Sequence, residues 1–271
     1  MLHLKPFPSS AFRLPRTAIP APSFFVPSLI RTRSPTILRM SAAAGPAATS
    51  RGQIVEHVVL FKVKPNTPPS SVINMLSSLN GLTTTIPSVL HLSAAPVIRT
   101  NSPYTHLLHS RYPSQAALAD YSAHPNHVEV VRGAVIPICE DMMAVDWVSI
   151  DPASVESPAI APGKAVKITF LKLKEELGEG EGKGVVLDAI SGMKGKVKGG
   201  LEAVSFGENF SPARAKGFGI GSVAVFSGKE EMETADKEEV VGAEKEKVRG
   251  LLEEVIVVDF VVPEKEKVAS L

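Results

Sequence analysis

Several residue types are scarce in this chain of 271 residues, and each shortage narrows what the protein could be. The single cysteine, Cys139, excludes an intrachain disulfide and is typical of a reducing or organellar compartment. No run of about 18 apolar residues occurs, so we expect no membrane-spanning helix. Because 29 basic and 28 acidic side chains nearly cancel, the charge gives no reason to expect a nucleic-acid partner.

Acidic residues are missing from the N-terminal segment, since Glu56 is the first one along the chain. Six arginines precede it, together with many serines, threonines and prolines. This composition is typical of an organellar transit peptide, so we interpret residues 1–52 as a targeting leader. The prolines would interrupt a long amphipathic helix, which favours a plastid leader over a mitochondrial one. A disordered tail is the alternative, and a start at Met40 would remove most of the leader.

The C-terminal tail, residues 263–271, ends in Ala269, Ser270 and Leu271. These three residues resemble a weak variant of the Ser-Lys-Leu address that directs proteins to the peroxisome. Coincidence is the alternative, because a small residue and a terminal leucine are common. The two ends of the chain therefore predict import into the peroxisome, into the plastid, or into both.

The first folded module spans residues 53–150 and opens on an alternating segment. Val55, His57, Val59 and Phe61 occupy one set of alternate positions, and the other set is apolar at its centre. This pattern predicts a strand that is buried on both faces. The further predicted elements are a helix from residue 70 or 71 to about 79, strands over 89–98 and 104–112, helical segments from 114 to about 134, and a strand over 142–148. The resulting order is β-α-β-β-α-β.

A second module, residues 165–262, repeats the first after a proline-containing linker, residues 151–164. The segment Phe61–Lys64 corresponds to Leu171–Lys174, and Asp146–Val148 corresponds to Asp259–Val261. Because the register holds with only short insertions, the chain contains a duplicated domain rather than a solenoid.

The duplication has a physical explanation in the sheets. A four-stranded sheet with both helices on one face leaves its other face uncovered, yet the strand centres are apolar on both sides. Two such sheets can bury these faces against each other as an eight-stranded barrel, which also removes exposed strand edges. The fold class is therefore α+β, with two β-α-β-β-α-β modules that pack sheet to sheet as an internal pseudo-dimer.

Two segments carry a resemblance to a known family. They are Glu56–Lys62 in the first strand and the Tyr-x-x-His-Pro-x-His pattern of residues 121–127. With these residues in this strand order, the first module resembles the stress-responsive dimeric A/B barrel domain, which has a ferredoxin-like fold. The whole chain is similar to plant tandem proteins of that family, some of which are peroxisomal. The resemblance implies a stress-response protein with an internally paired barrel.

Plant polyketide cyclases share this fold, and the resemblance extends to residues of their proposed active site. The matching positions here are His57, His106, Tyr121 and His127. A further cyclase tyrosine falls near Leu79, which is a departure from the cyclase pattern. The resemblance thus implies, as one hypothesis, a lyase- or cyclase-like enzyme in which histidine and tyrosine abstract a proton next to a carbonyl.

Two other interpretations of these residues stay open. Tyr121 and His127 can serve structure by holding the helix break at Pro125, or the residues can line a site for a small apolar ligand. We expect His57 to share a strand face with Val59 and Phe61, and His106 to share one with Tyr104 and Leu108. The leading functional prediction is a protein of stress response that is non-enzymatic or binds a small ligand. A homodimer is a further option.

The second module lacks the polar set, because Lys167, Ile220, Ala235 and about Val241 stand at the corresponding positions. We therefore expect any site to lie in the first module. No cofactor or metal is predicted: the Gly217–Gly221 run departs from a dinucleotide loop, and Pro125 spoils the spacing of His124 and His127 for a metal.

Overall fold

The computed structural model describes residues 53–149, 158–175 and 180–264. The predicted leader, the first part of the linker and the targeting residues Ala269, Ser270 and Leu271 lie outside the described residues. The described part consists of two modules, each with helices on one face of an antiparallel sheet.

The first module has the predicted order of helices and strands. Its elements are β1 (Val55–Val63), α1 (Pro69–Thr85), β2 (His91–Pro96), β3 (Arg99–Thr100), β4 (His106–Tyr112), α2 (Gln115–Ala123), α3 (Pro125–Val130) and β5 (Cys139–Val148). A π-helical turn, Val131–Val135, extends α3. Proline starts both α1 and α3, where its missing N–H costs nothing. Helix α1 continues six residues beyond the predicted end at Leu79.

The second module repeats this arrangement. Its elements are β6 (Ala165–Leu173), α4 (Glu181–Met193), β7 (Leu201–Glu208), β8 (Ile220–Phe226), α5 (Lys229–Ala235), α6 (Glu239–Arg249) and β9 (Leu252–Val261). The strands of the first sheet run in the order β2-β4-β1-β5, and those of the second in the equivalent order β7-β8-β6-β9, with β3 added beside β9. The duplication seen in the sequence is thus a duplication of topology.

Alternate residues of each strand enter different cores. From β1, Val58 and Leu60 join a core that also contains Ile168 and Phe170 of β6. Val55 and Phe61, on the other face of β1, pack against the helices of the first module. The sheets therefore bury their helix-free faces against each other, which confirms the predicted sheet-to-sheet packing.

Each module also sends the connection between two of its strands across to the other module. Strand β3 pairs with β9, and Ile98 N donates to Asp259 O at 2.9 Å. In the opposite direction, Phe210 N donates to Asp146 O at 2.9 Å. The sequence predicted only strands over 89–98 and 104–112 here and gave no sign of this exchange, because the acceptor strand lies about 160 residues away.

The tightest approach between the modules occurs around Trp147. Its indole is fully buried, and Nε1 donates to Ser205 Oγ of β7 at 3.2 Å. A Cβ placed on Gly221 would lie 2.5 Å from the indole ring, and one on Gly207 would lie 2.5 Å from Val148 O. Glycine is therefore required at both positions by space rather than by backbone conformation.

Candidate functional site

Three of the four site residues taken from the resemblance come together between the first sheet and its helices. The ring centroids of His57 and Tyr121 are 6.4 Å apart, and those of Tyr121 and His127 are 4.5 Å apart. Tyr112 belongs to the same aromatic group, 5.1 Å from Tyr121. Strand β1 positions His57 on the helix side because it shares the face of Val55 and Phe61. The group therefore lies outside the barrel interior.

A carboxylate holds His57 in place. Its Nδ1 lies 2.5 Å from Oδ1 of Asp146 on the neighbouring strand β5, and Oδ2 of Asp146 accepts from Arg214 of the second module at 2.7 Å. Burial would raise the pKa of Asp146, but its interactions with His57, Ser211 and Arg214 together outweigh that effect, and the pKa is lowered. Asp146 is thus an ionised group that ties the two modules together.

The aromatic group is poorly accessible. His57 is 3% exposed and Tyr121 is fully buried. Burial raises the pKa of both Tyr112 and Tyr121, and it lowers the pKa of His127, so the phenols and this imidazole are neutral at pH 7. His127 Nδ1 donates to Ser122 O at 3.0 Å.

His106 lies apart from these residues. It pairs with Phe61 at the far end of β1, four residues from His57, which corresponds to a separation of about 13 Å along the strand. His106 shares its strand face with Leu108, as expected. The prediction that Tyr104 lies on the same face is wrong. Tyr104 precedes β4 and its ring packs in the core between the sheets, because the strand alternation does not extend back to residue 104.

A charged cluster that the sequence did not predict lies inside the barrel. Glu56 is fully buried and accepts hydrogen bonds from His109 Nε2 at 2.6 Å and from Arg111 Nε at 3.0 Å. Burial would raise the pKa of Glu56, but Arg111 and His109 lower it to about 2. Burial lowers the pKa of His109. The signal was present, since Glu56 occupies an inward position of β1, but its partners on β4 are more than 50 residues away.

This cluster reaches the end of the linker. Arg111 donates to Pro158 O at 3.3 Å, and Ile160 N lies 3.2 Å from Nδ1 of His91. The strand registers place Val166, Val223 and Val225 of the second module at the positions of Glu56, His109 and Arg111. The charged groups of the inter-sheet core at this end therefore come from the first module.

A cavity of about 920 Å³ lies in the second module, between its sheet and its helices. Apolar side chains make up most of its wall, among them Leu171, Val186, Ile190, Val204, Phe226 and Val257. A volume of this size falls within the range of small-molecule sites. The sequence predicts any site in the first module, and the structure adds this second location.

Small side chains account for the cavity. The strand registers place Thr169 at the position of Val59 and Ser222 at the position of Leu108. The sequence repeat places Ala235 at the position of Tyr121, which fills the helix layer of the first module. The loss of side-chain volume at these positions leaves the second sheet uncovered at its centre, where Thr169 and Ser222 are only half-buried.

One end of the cavity carries an ion cluster. Lys167, at the position of His57, donates to Asp259 at 2.8 Å and to Asp236 at 3.2 Å. Arg99 from β3 also bonds both carboxylates, with Nε 2.5 Å from Asp259 Oδ2. The arrangement mirrors His57, Asp146 and Arg214 in the first module. The first module's Arg99 therefore forms part of the cavity wall in the second.

Among residues 53–149, 158–175 and 180–264, no helix combines the length and apolarity needed to cross a membrane. Within the same ranges no group of three or more histidine, cysteine or acidic side chains is arranged to hold a metal ion.

Comparisons with known proteins agree with this architecture. The Stress responsive A/B Barrel Domain matches twice, over residues 55–149 and 165–262. Two stress-response A/B barrel domain-containing proteins of Arabidopsis thaliana are similar to the chain. One is 43% identical over 236 residues, covering 86% of this chain and 88% of that protein. The other is 41% identical over 215 residues, covering 78% of this chain and 97% of that protein.

A solved structure of an anthrone oxidase-like protein is also similar. It has a TM-score of 0.53 at 14% identity and covers 81% of this chain and 97% of its own. At that identity the likeness shows the fold alone. The two domain matches and the two relatives above 40% identity establish that the chain belongs to the stress-responsive A/B barrel domain family, as a plant-type tandem member.

Proposed function

We propose that this stress-response A/B barrel protein binds a small, largely apolar ligand in the cavity of its second module and catalyses no reaction. The observation that carries the proposal is the cavity itself, with a volume of about 920 Å³ and a mostly apolar wall. Transfer of apolar surface into such a cavity contributes about 25 cal/mol per Å² removed from water.

The alternative, a cyclase-like enzyme in the first module, has weaker support. His57, Tyr121 and His127 do lie together, as the resemblance implied, but the first two are almost completely enclosed. His106 lies at the other end of the sheet. A general base must reach its substrate within hydrogen-bond distance, so this group would need to open before it could act. Its packing and its bond to Asp146 favour a structural role.

Ligand binding can be tested with the neutral dye Nile red, whose fluorescence rises in an apolar environment. Ala224 is on β8 and lines the cavity, so Ala224→Leu is expected to weaken dye binding at least tenfold by filling it. Ala116→Leu on the exposed face of α2 is the matched control. Thermal melts check that both variants fold. Equal dye affinity in wild type and Ala224→Leu would remove the cavity as the binding site.

We also propose that Ala269, Ser270 and Leu271 direct the protein to the peroxisome and that the arginine-rich leader supports plastid import. Support comes from the composition of the two ends of the chain. Deleting Ser270 and Leu271 from a fluorescent fusion is expected to abolish peroxisomal punctae, and deleting residues 1–39 is expected to abolish plastid signal. Unchanged images after either deletion would contradict the corresponding half of the proposal.

A further inference from the structure

Two hydroxyl groups line the floor of the cavity in the second module. Thr169 on β6 and Ser222 on β8 are direct cross-strand partners and point to the same side of the sheet. Side chains of such a pair stand about 5 Å apart at Cβ, close enough for both to bond one ligand group. Neither hydroxyl makes a hydrogen bond to another side chain or to the backbone in the parts of the chain that the structure describes.

The charges beside this hydroxyl pair are already balanced. At one end of the cavity, the two cations Lys167 and Arg99 are matched by the two carboxylates Asp236 and Asp259. The pKa of Asp236 is lowered, so this group is ionised at neutral pH; burial alone would raise it, but Lys167 and Arg99 outweigh that effect.

The other charged groups on the cavity wall are acids, Arg249, which donates to Glu246, and the exposed Lys245. Glu244 bonds Lys196 and Lys247, and Glu253 bonds Lys172. No cation of the ion cluster is left without a counter-ion, and Lys245 is an exposed residue of α6 rather than of the sheet. A carboxylate bound at Thr169 and Ser222 would therefore enter the apolar space without compensation. Burying an unpaired anion in this way is strongly unfavourable. The wall thus discriminates against acids.

From these observations we infer that the ligand is a neutral lipophile that carries one hydroxyl or carbonyl group, and that Thr169 and Ser222 bind that group. The inference rests on the proposed function, since it specifies the ligand class of the same cavity. A hydroxyl side chain both donates and accepts, so the pair serves an alcohol or a ketone equally. The apolar wall covers the rest of the ligand.

The test is competition against Nile red by four decyl compounds with different headgroups. Decan-1-ol carries a hydroxyl, 1-fluorodecane is nearly isosteric but a poor hydrogen-bond partner, decanoate is an anion, and decyltrimethylammonium is a cation. Each is measured at pH 8 on wild type, Thr169→Val and Ser222→Ala, with the dye affinity of each variant determined separately. Valine is the residue that the first module has at this position, Val59, so Thr169→Val suits the sheet.

We expect decan-1-ol to compete best and decanoate at least tenfold less well. Each variant should weaken decan-1-ol about three- to tenfold, the usual worth of one hydrogen bond, and leave 1-fluorodecane unchanged. If decanoate competes as well as decan-1-ol, or if both variants bind decan-1-ol like wild type, the inference is overturned while the cavity stays a binding site. If Ala224→Leu binds Nile red like wild type, the proposed function itself fails.

Discussion

Replacing Glu56 by glutamine measures how much the charged cluster inside the barrel contributes to the free energy of unfolding. Glutamine keeps the shape of the side chain but removes the negative charge that faces Arg111 and His109. The guanidinium of Arg111 then stays buried, 1% exposed, with a neutral partner. Breaking a buried ion pair from one side costs about 3–5 kcal/mol, because the remaining charge is uncompensated.

The pKa of Glu56 gives an independent magnitude. It is lowered from the ordinary 4.5 to about 2, and each unit is worth about 1.4 kcal/mol, so the folded state gains about 3 kcal/mol from the ionised form. The contribution is complete above pH 4.5, where the unfolded chain is also ionised, and is lost as the pH falls towards 2. Glu56→Gln should therefore flatten the fall of stability between pH 5 and pH 2.

The assay is urea unfolding followed by the fluorescence of Trp147, the only tryptophan in the chain and fully buried. With a urea dependence of about 3 kcal/mol per molar, a loss of about 3 kcal/mol lowers the midpoint by about 1 M at pH 7. The informative comparison is a triple variant with Glu56→Leu, His109→Phe and Arg111→Met, which replaces the whole cluster by apolar groups of similar volume.

Whole-cluster replacement is expected to leave stability within about 1 kcal/mol of wild type, because no charge is then stranded in the core. The second module supports this expectation, since it carries valine at all three positions. A triple variant less stable than Glu56→Gln, or a Glu56→Gln midpoint within 0.2 M of wild type (~0.6 kcal/mol), would refute the reasoning.

Two further predictions concern contacts between the modules, both measured by the same urea unfolding. Asp146→Asn weakens the charge-assisted bond from Arg214 and should lower the free energy of unfolding by about 2 kcal/mol. The control Asp141→Asn, at an exposed ion pair, should lower it by less than about 1 kcal/mol. Equal losses in the two variants would contradict the proposed tie between the modules. Gly221→Ala adds a methyl group 2.5 Å from the indole of Trp147. We expect the free energy of unfolding to fall by about 1–3 kcal/mol and the tryptophan emission maximum to shift. An unshifted spectrum with wild-type stability would show that the ring has room to move.

Much of the fold could be predicted because its signals are local. Alternation in β1 showed which residues share a face, and the match of Asp146–Val148 with Asp259–Val261 showed the duplication. Apolar residues on both faces of the strands then required a second sheet, and the structure supplies it from the same chain. The exchange of β3 was missed because its pairing partner has no local signature.

The candidate sites were also only partly predictable from the sequence. The structure brings His57, Tyr121 and His127 into one group, whereas strand geometry separates His106 from them. The cavity is harder to predict, because it arises where the second module has smaller side chains than the first. Ala235 is ordinary by itself and becomes informative only when it is compared with its counterpart, Tyr121. Aligning the two modules position by position for side-chain volume would have indicated it.

The one-sided charge of the inter-sheet core bears on how the barrel is assembled. Two copies of the first module, paired as separate chains, would set two Glu56–Arg111 clusters against each other in a space now shared with valines. Two copies of the second module would have no charge there at all. Joining one module of each kind in a single chain favours the pairing of a charged module with an apolar one. The second module is then free to diverge in the helix layer that holds its cavity.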